Sequence, residues 1–149
     1  MTEVRFYHLT RSSLEAALPK MLEKTLERGQ RAVVLASSPE RVEALNTHLW
    51  TYAERSFLPH GTAEDGHDAA QPVWLGTEDT RRNAAEVLFL TDGAESQRLG
   101  EYDLCAVLFD GRDDTAVARA RDQWGGLKDA GHALTYWQQD ESGRWSQKV

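Results

Sequence analysis

The chain has 149 residues, 40% of them apolar and 28% charged, with a formal net charge of -7. That length and apolar content suit one ordinary domain with a real core, so residues 1–149 are expected to fold as one unit. An acidic surface repels phosphates, so contact with DNA is expected only through a protein partner or on a local basic patch. The lone cysteine, Cys105, excludes an internal disulfide, and its apolar run CAVLF marks a buried inert thiol. The first residues, MTEVRFYHLT, carry an acid and no apolar stretch of signal-peptide length. No apolar run approaches membrane-spanning length. A cytoplasmic protein is expected.

Val4 to Leu9 is a short β-type run. Ser12 or Ser13 then caps a helix whose stripe is Leu14, Ala17, Leu18, Met21, Leu22, Thr25 and Leu26. Pro19 falls inside that stripe and predicts a kink or a late start near Leu18. Gly29 marks the C-terminal cap. Arg31 to Ala36 is apolar after its first residue, as a strand covered on both faces requires. Ser38-Pro39-Glu40 opens a second helix carrying Val42, Leu45 and Leu49. A β-α-β-α beginning predicts a mostly parallel sheet with helices on both faces.

Trp50 to Gly61 holds too many aromatics for a plain linker. Thr62 to Gln71 reads as a mobile loop. Short strands follow at Pro72–Leu75, Val87–Leu90 and Leu104–Phe109, the last two ending in Asp-Gly. A last strand, Ala133–Gln138, turns back at Gly143 through Arg144-Trp145, and the tail SQKV reads as frayed.

The signals for catalysis are weak. Neither early strand-to-helix turn, LTRSS or ASSPE, has the glycines of a phosphate-binding loop, so no nucleotide cofactor is expected. Asp92 and Asp110 end strands, where an open α/β sheet gathers ligands. They are the acids a small α/β enzyme would use, although turn-forming Asp-Gly is the commoner role. His60 and His67 with Glu64, Asp65 and Asp68 match no known metal spacing, so no metal is expected.

The late helix, Asp114 to Ala130, offers more. At about 100° per residue, Ala116, Ala120 and Leu127 share an apolar stripe that seats it on a core. Val117, Arg121, Trp124 and Lys128 run along the edge of that stripe. An indole and an aliphatic side chain between two cations suit a small acidic peptide with an apolar end. The plainer alternative is a core Trp with a solvated cationic rim.

Several pieces then match one pattern in order: FYHL, LW with SFLPHG, QPVWL, LFLTDG, VLFDG, ARxxWxxLKxAGHxLTYW and GRWxQK. The set, spread over nearly the whole chain, resembles the chi subunit family of the bacterial DNA polymerase III holoenzyme. The resemblance implies a Rossmann-like sheet without a nucleotide site. It also implies a non-catalytic accessory subunit of the clamp loader. That subunit binds the acidic, Pro-Phe-ending C-terminal tail of single-stranded DNA-binding protein, and also the psi subunit. Carried onto this chain, the tail-binding set is Val117, Arg121, Trp124 and Lys128. Arg121 grips a carboxylate, Trp124 walls the pocket for the terminal ring, and Lys128 adds a second cation. Val117 and Gly125 stand where better-studied members carry lysines, which leaves a weaker basic rim that Arg119 could supplement. The psi-facing set is Trp50, Phe57, Pro59 and His60.

Overall fold

The computed structural model describes residues 2–51, 59–81 and 83–148, with Asp68 described by its backbone alone. The strands are β1 (Glu3–Leu9), β2 (Ala32–Leu35), β3 (Gly61–Thr62), β4 (Val73–Gly76), β5 (Val87–Leu90), β6 (Leu104–Asp110), β7 (Ala133–Gln139) and β8 (Trp145–Gln147). The helices are α1 (Leu14–Glu27), α2 (Pro39–Thr51) and α3 (Asp114–Asp129). The described strands form one eight-stranded sheet in the order β3-β4-β2-β5-β6-β1-β7-β8. Every pairing is parallel except the β7–β8 hairpin.

Alternation along each strand splits the core into two layers. Tyr7, Leu9, Val34, Phe89 and Leu108 face α1 and α2, which add Leu18, Leu22, Leu45 and Leu49. Val4, Phe6, Leu88, Val107 and Phe109 face α3, which adds Ala120. Strands β2, β4 and β5 are buried at every residue. This explains their unbroken apolar runs, because α1 and α2 cover one face of these strands and Ala85, Leu99 and Tyr102 pack on the other. The architecture is the expected mostly parallel α/β sheet with helices on both sides.

Three local expectations need correction. First, α1 begins at Leu14, capped by the Ser13 hydroxyl, and runs through Pro19 with no late start. Proline lacks the amide hydrogen that would bond the carbonyl four residues back. That carbonyl belongs to Glu15, and His48 Nε2 of α2 donates to it at 2.5 Å. A side chain from the neighbouring helix thus takes the place of the missing amide.

Second, the segment after Gly61, expected as a loop, carries short regular structure. Gly61 and Thr62 pair with Trp74 and Leu75, and two single 3-10 turns follow at Ala63–Asp65 and Asp68–Ala70. The Asp65 carboxylate accepts from the Thr62 amide at 2.8 Å, closing a capping box. Third, the tail is not frayed at Ser146. It pairs as β8 through Gln147, and the Lys148 amide donates to the Tyr136 carbonyl at 2.7 Å.

Candidate functional site

The site residues on α3 are held by well-formed ends. Asp113 caps the N-terminus, accepting from the amides of Thr115 and Ala116 at 3.0 and 3.4 Å. At the other end Gly131 takes φ +87°, and the amides of Gly131 and His132 return to the carbonyls of Lys128 and Leu127. That pair of bonds is a Schellman motif, with Lys128 placed to complement the helix dipole.

Ala120 seats the helix at 4% exposure, and Ala116, Val117, Trp124 and Leu127 pack against the same layer while staying partly exposed. Trp124 is therefore neither sealed nor free. Its indole makes a T-shaped contact with Phe6 at 5.3 Å and 66°, and another with Tyr136 at 6.0 Å and 70°. Two such edge contacts fix the ring plane, so the open part of the indole is presented in one orientation. Arg121 and Lys128 flank it and are exposed. Arg121 also acts on Tyr136: burial pushes the phenol up, and the Arg121 charge pulls the other way. The four residues expected on this helix edge thus lie along one surface.

Sequence reasoning missed the floor of this surface. Phe6 and Tyr136 are register partners on the adjacent strands β1 and β7. The Tyr136 hydroxyl meets His8 Nδ1 at 2.5 Å, and the His8 ring lies 5.0 Å from Phe109. Burial holds His8 below its ordinary value, against the pull of the Gly111 backbone and the Asp110 charge. Phe6, His8 and Tyr136 all stand in the motifs FYHL and LTYW. The two-residue spacing of Phe6 and His8 already placed them on one strand face.

Arg119, considered as a supplementary cation, reaches instead toward the Asp92 carbonyl at 3.5 Å. Gly125 has open space where a Cβ would stand, so nothing blocks a longer side chain there.

The second predicted surface is described only in part, since Phe57 lies outside the described residues. Trp50 is 50% exposed and stands 4.2 Å from the His60 ring. His60 itself is 4% exposed, and its Nε2 donates to the Asn46 carbonyl at 3.1 Å. His60 therefore props the indole from beneath and does not present itself to solvent. Pro59 is partly buried beside it.

Asp92 and Asp110 do share a cavity, of about 500 Å³, between the N-termini of α1 and α3. Each is already paired. Asp92 accepts from Arg41 Nε at 2.8 Å, and Arg41 Nη2 also holds Glu15 at 3.0 Å. Asp110 accepts from Arg112 Nε at 3.1 Å, and the Arg112 amide holds its carboxyl below the usual range. Both carboxyls thus lie against arginine side chains, a poor setting for proton donation. Cys105 is fully buried and its thiol is pushed up, which makes it inert. Among the described residues no group of three or more potential metal ligands gathers, and no helix is long and apolar enough to cross a membrane.

Residues 1–135 match the family described as DNA polymerase III chi subunit, HolC. A protein of Rickettsia prowazekii named "Probable DNA polymerase III subunit chi" is 31% identical over 105 residues, covering 68% of this chain and 64% of that protein. The DNA polymerase III subunit chi of Pseudomonas aeruginosa is 29% identical over 91 residues, covering 59% and 63% respectively. The matched region therefore spans less than two thirds of either relative's length. With the family model covering most of the sequence, the chain belongs to the DNA polymerase III chi subunit family.

Proposed function

We propose that this chain is a non-catalytic, cytoplasmic replication subunit that works as one module across residues 1–149. On α3 it captures the acidic C-terminal tail of single-stranded DNA-binding protein. The Trp50 surface meets the psi subunit and so links that capture to the clamp loader. DNA is engaged only indirectly, and no cofactor takes part.

One observation carries the reading. The Trp124 indole is clamped edge-on by Phe6 and Tyr136, stays partly open, and has exposed Arg121 and Lys128 on its own helix edge. A tail ending in an aromatic ring would lay that ring against the open indole. Its carboxylates would meet the cations in charge-assisted contacts. A contact this small is transient, with Kd of roughly micromolar order. It should weaken as salt rises, because exposed charges are screened beyond about 10 Å at 0.1 M.

Fluorescence polarisation with a labelled tail peptide tests this. Trp124→Ala and Arg121→Ala should each weaken binding by about tenfold or more, equivalent to about 1.4 kcal/mol, with the circular dichroism spectrum unchanged. Unchanged affinity in both variants would place the site elsewhere.

The shared cavity of Asp92 and Asp110 favours a second reading, a small α/β enzyme. Their pairing with Arg41 and Arg112, and the absence of an activated nucleophile among the described lining residues, weigh against it. A small molecule that raises the melting temperature of the native chain but not of Asp110→Asn would revive it.

A further inference from the structure

On the sheet face opposite α3, a groove of about 530 Å³ runs between α1 and the strands β1, β7 and β8. Helix α1 packs chiefly on α2, β2 and β6, so the β7–β8 hairpin lies beside it and not beneath it. The floor of the groove is aromatic. Tyr7 stacks on Trp137 at 6.4 Å and 25°, and meets Trp145 edge-on at 5.0 Å. Both tryptophans remain partly exposed. The Arg5 guanidinium lies 5.9 Å from the Trp137 ring centroid.

The wall is cationic. Lys20, Lys24 and Arg28 recur every fourth residue along α1, about 6 Å apart along the axis. All three are exposed, and none makes an ion pair among the described residues. Arg5 is already paired with Glu3 at 3.0 Å, so these three cations stand against Glu23 and Glu27 in the lining. On a chain of net charge -7 this is a local reversal of sign. Like charges lined up on a helix edge weaken the helix slightly, and here the row borders an open aromatic floor.

We propose that this groove is a second docking site, for an extended acidic segment of a partner protein that carries aromatic or aliphatic side chains. In an extended peptide, side chains two residues apart recur about every 6.6 Å. That repeat matches the spacing of Lys20, Lys24 and Arg28, so carboxylates along one edge can meet all three in turn. The apolar side chains between them would fill the floor made by Tyr7, Trp137 and Trp145. The net charge decides against a nucleic acid. Three unpaired cations cannot hold a chain of phosphates against a body of charge -7. Two or three carboxylates are repelled far less.

The test is panning of phage-displayed random dodecapeptides on the full chain carrying Arg121→Glu, which disables the α3 surface. The selected peptides should interleave Asp or Glu with aromatic or aliphatic residues. In fluorescence polarisation, Lys20→Glu with Lys24→Glu should weaken them about tenfold or more, and Trp145→Ala should do the same. Wild-type chain and the Arg121→Glu chain should bind them equally. If the charge reversal perturbs folding, Lys20→Gln with Lys24→Gln gives the same reading in smaller steps. A selection without an acidic-apolar consensus would overturn the proposal, as would peptides indifferent to both lysine pairs. So would a labelled twelve-residue oligothymidylate, or self-association of the chain, that binds in place of the peptides and is lost on charge reversal.

Discussion

Trp124 shows how a single side chain can serve a core and a surface together. Its ring packs on Phe6 and Tyr136 and yet stays partly open, with Arg121 acting on the same tyrosine. The same aromatic layer contains a titrating group, His8, whose ordinary value of 6.5 is lowered by burial. The folded chain thus takes up this proton less readily than the unfolded chain. The sign follows from linkage: as pH falls through 6.5 toward the folded value, the unfolded state gains protons first and stability is lost. His8→Gln keeps a polar partner for Tyr136 without the titration. Between pH 7 and 5 its loss of stability in urea melts should be smaller than that of wild type, and an equal loss would contradict the assignment.

At the scale of elements, each of two helices carries an irregularity with a measurable consequence. In α3, Gly125 sits exposed in the helix interior with open space around it. Glycine there costs roughly 0.5–1 kcal/mol relative to a good helix former. Gly125→Lys should recover part of that, raising the melting temperature by about 1–2 °C for a chain this size. By adding a cation to the rim it should also tighten binding of the acidic tail peptide. A stabilised chain with unchanged affinity would separate the helix effect from the site. In α1, the Glu15 carbonyl that Pro19 leaves without an amide partner is taken by His48. His48→Ala should therefore cost about 1 kcal/mol in the native chain. In a Pro19→Ala background, where an amide can return, the cost should be smaller. The coupling in a double-mutant cycle measures that substitution of partners.

At the scale of the molecule, Arg41 ties three pieces of chain at the carboxyl ends of the strands: α1 through Glu15, α2 on which it stands, and the turn after β5 through Asp92. Burial would raise the Glu15 carboxyl, but its backbone hydrogen bond and Arg41 outweigh that and hold it below 4.5. A carboxylate depressed in this way contributes stability above its ordinary value and loses it as pH falls through the folded one. Arg41→Met should cost about 1 kcal/mol or less at pH 7, since all three side chains are about a third exposed. The gap from wild type should narrow as pH falls below 4.5, as urea melts at neutral and acid pH would show. The same network lines the crevice at the carboxyl ends of the strands, where an α/β fold gathers ligands. The two exposed cationic-aromatic surfaces lie instead on opposite faces of the sheet, on α3 and beside α1.

Much of this was legible in the order of residues. The buried runs at Ala32–Leu35, Val73–Gly76 and Val87–Leu90 announced strands covered on both sides, because only that setting removes polar residues from both faces of a strand. The helical spacing of Arg121, Trp124 and Lys128 placed them on one edge before any coordinates, because the turn of a helix is local geometry. Other features depended on contacts between segments far apart in the chain. Nothing near Trp124 in sequence reveals that Phe6 and Tyr136 set its tilt, since those come from strands paired across more than a hundred residues. Pro19 signals a broken bond, but not that a histidine from another helix would fill it. The Asp-Gly turn at Asp92 suggests an acid at a strand end, yet the arginine that pairs with it, Arg41, comes from another element. Periodicity is a property of neighbours in the chain, and partnership is a property of neighbours in space.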